Sequence, residues 1–379
     1  MQIVKQFNNA VRQNIAKRKL ESRKLDSNTS NPLEKWSIVK IKKDISKTNE
    51  LKNTLNPNSL SRKDIEKYKL IKLREVLKYA SKYSPYYMDL YEKERIDPSS
   101  IQKLEDLESI PLTDPVALAE KPYHFLCVSR KDIAREFTTS GTTNILKRVS
   151  YTQEELLEIV DSVVAGLKMA GMDSEGDTLQ IMYPTITATW EPGLVLSKAC
   201  DLAGMDSVIN DSLNAESQIS TMKKVGTTVI IGTSSFIYSL SRQIKELGID
   251  PHELGIKRII CSSEPLTAFM KKEIEEIWGC KTLRQWGMTE MGLANAIECT
   301  EQDGMHVNNA DFLVEVIDPK TGKILPPGEE GELVFTTLRR KCMPLIRYRT
   351  RDIATLIDEP CRCGATLDQR IKNIKRIDL

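Results

Sequence analysis

Apolar residues at Leu156, Leu157, Val160, Val163, Val164 and Leu167 recur every three or four positions, the spacing that lines one face of a helix. Thr152 and Glu155 stand three apart just ahead of this stripe, as a capping box requires, and Gly171 closes it. The same period in Leu73, Val76, Leu77 and Ala80 predicts an earlier helix. It must end before Pro85, whose ring bars the preceding residue from helical backbone. Between 171 and 285 the pattern alternates. It predicts strands at 178–183, 228–231, 257–261 and 281–285, with helices near 235–247 and 267–278. That rhythm predicts an α/β fold with a mostly parallel sheet flanked by helices. Beyond Asp311 the period shortens to close-set strands (FLVEVID, GELVFTTL, PLIRYRT, DIATLID) divided by turn-formers at 319–322 and 326–328. An antiparallel, barrel-like subdomain is expected there.

The first 60 residues differ. Residues 26–60 are rich in Asn, Ser, Lys and Thr with weak periodicity, so they read either as loosely ordered or as a wrap over the next domain. Positions 1–50 hold 12 Lys/Arg against 5 Asp/Glu, although the whole chain carries only +2. This basic excess makes a solvated, partly helical arm or a contact for an acidic carrier or nucleic acid, and no specific nucleic-acid reading follows from it. The expected division is a basic extension at 1–60, an α/β core at 61–310 and a strand-rich, barrel-like part at 311–379 that ends at a hinge, with no small C-terminal domain expected after it.

At 379 residues and 28% charged, the chain has the balance of a large globular domain, with no apolar run long enough to cross a bilayer and no repeat. Its N-terminus has no secretory apolar stretch, and its eight cysteines form no regular framework. Both point to a reducing cytoplasm.

Three stretches carry chemistry: TTSGTTNILK at 138–147, QWGMTE at 285–290 and RYRTRD at 347–352. In the first, hydroxyls and one glycine let the backbone approach phosphate oxygens, and Lys147 adds positive charge. The spacing is not that of a P-loop, and an ordinary Ser/Thr-rich loop is the alternative. Together with DFLVEVIDPKTGKILPPGEEGELVFTTL and MPLIRYRTRD, these stretches resemble the adenylate-forming superfamily of acyl-coenzyme A ligases, in its phenylacetate-coenzyme A ligase branch. The resemblance runs from about Leu73 to Leu379.

It implies the large N-terminal domain of such an enzyme, with Thr139, Ser140, Gly141, Thr142, Thr143 and Lys147 around the phosphates of ATP or AMP. Glu290 is matched to the magnesium ligand, a hard oxygen donor. Ser263, Glu264 and Pro265 line the adenine, with Gln285, Trp286, Gly287, Met288 and Thr289 closing over it. Asp352 takes the ribose hydroxyls, or else pairs with Arg349 or Arg351. Arg376 and Asp378 match the hinge. Tyr183, Trp190, Gly232 and Phe236 wall the organic acid, unless the aromatics are core. Asn144 stands where the family usually has glycine, Leu146 where it often has proline and Trp286 where it has tyrosine; Asn tolerates positive φ, so the loop can keep its shape.

Cys299 and His306 lie on one side of the strand-rich segment, Cys361 and Cys363 on the other. Three thiolates and an imidazole satisfy a closed, structural zinc site; four unconnected buried residues is the alternative. The remaining cysteines read as small core hydrophobes.

The implied activity is ATP-dependent conversion of a carboxylic acid to an acyl-adenylate. The acceptor is coenzyme A, a carrier protein or another thiol, with a separate small C-terminal domain, not expected on this chain, to supply the adenylation lysine. On this reading the chain alone adenylates slowly. An acyl-protein synthetase passing the acyl group to a cysteine such as Cys342, and a non-catalytic nucleotide-binding scaffold, are the alternatives; a homodimer is left open.

Overall fold

The computed structural model describes residues 20–25, 31–139, 146–173, 175–183, 192–293 and 295–376. Ser140, Gly141, Thr142, Thr143, Asn144, Trp190 and Asp378 lie outside these residues. Two strands, β1 (Arg135–Thr139) and β2 (Lys147–Tyr151), pair antiparallel, with Thr139 opposite Lys147. The capping box predicted at Thr152 is present, and it starts a helix at Gln153–Met169.

The next strands are β3 (Thr178–Met182), β4 (Asp206–Ile209), β5 (Val229–Thr233), β6 (Arg258–Ser262) and β7 (Lys281–Trp286). They pair in parallel in the order β4-β3-β5-β6-β7. Helices Pro192–Ala203, Ala215–Val225, Ser234–Glu246 and Ala268–Trp278 connect them. The first two of these, and β4, were not legible in the sequence pattern.

From β7 the pairing turns antiparallel through β8 (Ala296–Glu298) and β9 (Met305–Val307). It continues through β13 (Arg370–Arg376) and β12 (Tyr348–Ile357) to β11 (Glu330–Thr337) and β10 (Phe312–Ile317). The strand-rich segment is thus joined to the parallel half as one eleven-stranded sheet. Two three-residue strands make that join, and elements so short carry no readable periodicity.

The N-terminal segment has a definite place. A helix at Pro32–Ile45 buries Trp36 and Ile41 completely. Its Lys40 ammonium lies 2.8 Å from both Glu158 and Asp161 on helix Gln153–Met169. Over these residues the wrap is the observed alternative: a few apolar anchors and the ion pairs of Lys40 and Asp44, the latter with Arg339, hold a helix whose own amphipathic pattern is weak. The next long helix, Arg62–Tyr83, starts at a Ser61–Asp64 capping box and ends before Pro85, as the proline demands.

Candidate functional site

In a parallel sheet the carboxyl ends of the strands leave backbone groups and loops facing one crevice, where ligands collect. Pairing registers align Met182 with Gly232, Gly232 with Cys261 and Cys261 with Arg284. Tyr183, Ser263 to Pro265 and Gln285 to Glu290 all follow that row. Most of the residues singled out in the sequence therefore lie along one end of the sheet, and the β1–β2 hairpin and β12 supply the rest.

The centre is a buried charged cluster. Lys147 at the start of β2 forms an ion pair with Glu290 Oε1. The Tyr348 hydroxyl donates to the same oxygen at 2.9 Å, and Lys147 Nζ donates to that hydroxyl at 3.4 Å. Glu290 is only 1% exposed, so its charge depends on these partners. Burial, then the neighbouring Glu290 carboxylate, holds the Tyr348 phenol well above its ordinary pKa, so it remains a donor. Beside the cluster, Thr139 Oγ1 is a buried hydroxyl with no hydrogen-bond partner among the described residues. An orphan donor at the mouth of a hydroxyl-rich loop fits a ligand oxygen.

A second cluster lies on β12, where burial alternates residue by residue: Tyr348, Thr350 and Asp352 are buried while Arg349 and Arg351 are half-exposed. Asp352 Oδ2 accepts from Trp286 Nε1 at 3.1 Å, and Oδ1 pairs with Arg376 at 3.0 Å on the neighbouring β13. The pairing of Asp352 with Arg349 or Arg351 does not occur. Arg349 grips Glu332, and Arg351 reaches Asp114 at 2.6 Å. Burial raises the Asp352 pKa above the ordinary carboxylate value, with Arg376 and Trp286 opposing and Glu290 adding to the rise.

The remaining residues are placed as follows. Ser263 holds a left-handed backbone (φ 66°), and its hydroxyl lies 3.3 Å from that of Ser262, which is also hydrogen-bonded to the Tyr183 hydroxyl. Ser263, Glu264 and Pro265 are exposed at the crevice. The Glu264 carboxylate accepts from Ser235 N–H at 3.0 Å, at the start of helix Ser234–Glu246. Tyr183 is buried, and burial pushes its phenol up to about 12. Gly232 abuts Met182, where an added Cβ would come within 3.3 Å of the Met182 Cβ; Phe236 is half-buried. Gln285 Nε2 donates to Leu293 O at 3.3 Å, and a Cβ on Gly287 would lie 2.0 Å from that same carbonyl oxygen. Met288 is half-buried and Thr289 is buried. Sequence reasoning missed Tyr348, although it stands inside RYRTRD, and it missed Arg340 and Tyr151. The one signal at Arg340 was the basic run Arg339–Arg340–Lys341, interrupting an apolar segment.

Cys299, His306, Cys361 and Cys363 come together, with ligand atoms all within 4.8 Å of one another. Cys299 Sγ and Cys361 Sγ are 3.8 Å apart, and Cys363 Sγ is 3.6 Å from His306 Nε2. A tetrahedron with zinc–sulfur bonds of about 2.3 Å has edges of roughly 3.8 Å, so the set fits. Behind the imidazole, Asp368 Oδ2 lies 3.5 Å from His306 Nδ1. A hydrogen bond from Cys363, aided by His306 against burial, lowers the Cys299 thiol below its ordinary value. Burial alone would lower His306, but Asp368 and Cys299 outweigh it and raise the ring to about 10.

A family model described as AMP-binding enzyme matches residues 55–338. Phenylacetate-coenzyme A ligase of Thermus thermophilus is 33% identical over 300 residues, covering 78% of this chain and 66% of the relative. The Pseudomonas putida protein of the same name is 31% identical over 301 residues, covering 79% and 68%. The chain thus spans about two thirds of the length of these curated relatives. Among solved structures, 2-hydroxyisobutyryl-CoA ligase in complex with 2-HIB-AMP and CoA superposes with a TM-score of 0.76 at 23% identity, over 84% of this chain and 69% of that one. At that identity the likeness shows the fold.

Proposed function

We propose, from the premise that the chain belongs to the AMP-binding enzyme family, that it activates a carboxylic acid with ATP and hands the acyl group to a thiol. The observation that carries this is the buried Lys147–Glu290–Tyr348 cluster, set between the β1–β2 hairpin and the Asp352 pair. In the reaction a substrate carboxylate oxygen attacks the α-phosphorus of ATP. An acyl–oxygen–phosphorus bond forms, the α–β bridge breaks and pyrophosphate leaves. The chain's task is to hold two anions together and offset their repulsion.

Lys147, with Thr139, the hydroxyls of Ser140, Thr142 and Thr143 and the main chain at Gly141, would bind the phosphates. Asp352 would accept from the ribose hydroxyls, with Trp286 and Arg376 fixing its two oxygens. Trp286 and residues 263–265 would flank the adenine, and Tyr183, Trp190, Gly232 and Phe236 would wall the acid. Magnesium would be held by Glu290 and nucleotide oxygens, and it supplies charge neutralisation on the phosphates. Attack of a thiol on the adenylate carbonyl then releases AMP and leaves a thioester. The relatives' names make coenzyme A the first acceptor to test and phenylacetate the first acid.

Zinc at Cys299, His306, Cys361 and Cys363 would be structural, because the four donors leave no open position. No helix among the described residues is long and apolar enough to cross a membrane, and all eight cysteines are unpaired, which supports a reducing cytoplasm. An enzyme-bound thioester at Cys342 finds no support. That thiol is fully buried, and burial drives its pKa far up, away from the reactive thiolate.

The test is ATP–pyrophosphate exchange against phenylacetate, benzoates, fatty acids and amino acids. Carboxylate-dependent exchange is expected; background rates with every acid would leave a nucleotide-binding scaffold. Gly287→Ala is expected to weaken AMP binding at least about tenfold, since the new methyl collides with the Leu293 carbonyl and displaces the turn beneath the nucleotide. Calorimetry with AMP checks this, and affinity unchanged within about twofold would contradict it.

A further inference from the structure

Three successive main-chain carbonyls, those of Thr289, Glu290 and Met291, are each gripped by a side chain from a distant part of the sequence. The Tyr151 hydroxyl donates to Thr289 O. Arg340 Nη1 donates to Glu290 O at 3.0 Å, and Nη2 donates to Met291 O at 3.0 Å. The Arg340 guanidinium carbon lies 4.4 Å from the Tyr151 ring centre, so the two side chains stack as one unit.

Both are deeply buried, at 9% and 0% exposure. Burying a guanidinium is costly; the charge is offset by Tyr151 and, at longer range, by the Glu155 and Asp311 carboxylates, which hold the Arg340 pKa up against that burial. Its two amino groups are spent on main-chain oxygens. The backbone accommodates this grip, because Gly292 turns at φ 91° where a Cβ would come within 2.8 Å of Ile159 and 3.3 Å of Arg340. The short 3-10 turn Thr289–Met291 is thereby clamped along its carbonyl edge, while the Glu290 carboxylate meets Lys147 and Tyr348. A residue in a three-residue turn has little helical hydrogen bonding to hold it. The clamp replaces what the turn lacks.

We propose that Arg340 and Tyr151 are positioning residues for the metal-binding carboxylate: they fix the Glu290 turn through its backbone and so set metal affinity without touching nucleotide. The inference rests on the reading of Glu290 as the metal ligand. The two are separated by measuring Mn2+ binding to the full chain by electron paramagnetic resonance, with α,β-methylene-ATP present, in wild type, Glu290→Gln, Arg340→Met, Arg340→Lys and Tyr151→Phe.

Wild type is expected to bind one Mn2+ with the nucleotide, and Glu290→Gln, left with the nucleotide oxygens alone, to bind it at least about tenfold more weakly. Arg340→Met should weaken Mn2+ roughly tenfold, the usual cost of removing a group that orients a ligand, with Tyr151→Phe losing less and Arg340→Lys recovering part. Nucleotide affinity measured in EDTA should stay within about twofold of wild type. If wild type binds no Mn2+ with the nucleotide, or Glu290→Gln binds it as well as wild type, the reading of Glu290 falls and takes the inference with it. If Glu290 behaves as a ligand but Arg340→Met and Tyr151→Phe bind Mn2+ like wild type, only the inference is overturned, even where their melting temperatures drop. Should Arg340→Met not fold, Tyr151→Phe decides alone, because it keeps the ring beneath the guanidinium and removes a single hydroxyl.

Discussion

Replacing Glu290 with glutamine is expected to reduce ATP–pyrophosphate exchange by about two to three orders of magnitude, the scale of losing one preorganised charge at a phosphate-transfer site. Glutamine keeps the volume and can still accept from the Tyr348 hydroxyl, so the turn should persist. The buried Lys147 ammonium would, however, lose its counter-charge, and breaking one side of a buried pair costs up to ~3–5 kcal/mol. Adding Lys147→Met should therefore restore much of the stability while exchange stays lost. Because Lys147 is itself placed at the phosphates, the discriminating outcome is the opposite one: recovery of both stability and exchange in the double variant would show a structural salt bridge and contradict the assignment of both residues. Thermal unfolding and exchange rates on the same preparations decide it.

Metal removal is the second large effect. One zinc per chain is expected by elemental analysis, and stripping it, or making Cys361→Ser, should lower the melting temperature by on the order of 5 °C or more. The four donors lie beside β8, on β9 and in the turn between β12 and β13, so the ion would staple four strands at the join between the sheet's two halves. Since β12 and β13 carry Asp352 and Arg376, AMP affinity should fall along with stability. Purified protein lacking zinc, with a melting temperature indifferent to chelator, would contradict the site.

Much of this was legible because the relevant signals are local. The Thr152–Glu155 box, the stop before Pro85 and four of the five parallel strands were readable from spacing, with boundaries shifting by a residue or two at the ends, where caps decide; β4 was not. Residues 32–45 were not, since the helix there is held by Trp36, Ile41 and Lys40 against partners over a hundred positions away. Nor was the continuity of the sheet, which depends on β8 and β9.

At the site, RYRTRD disclosed Asp352 but left its pairing with Arg349 or Arg351 open. The strand is irregular here, with a register shift opposite Glu332–Val334 and Arg351 in left-handed backbone (φ 62°): the two arginines turn to Glu332 and Asp114 while Asp352 meets Arg376 across the ladder. Tyr348, like Asp352, is a buried position of this strand. Arg340 and Tyr151 act on backbone atoms, and no side-chain motif records such contacts.

The most direct measurement is a calorimetric titration of the folded chain with a non-hydrolysable acyl-AMP mimic, the sulfamoyl adenosine of phenylacetic acid, beside Asp352→Asn. Saturable one-to-one binding to wild type, weakened at least about tenfold in the variant, is the predicted result. No binding to folded wild-type protein, or binding indifferent to Asp352, would contradict a nucleotide site at this end of the sheet.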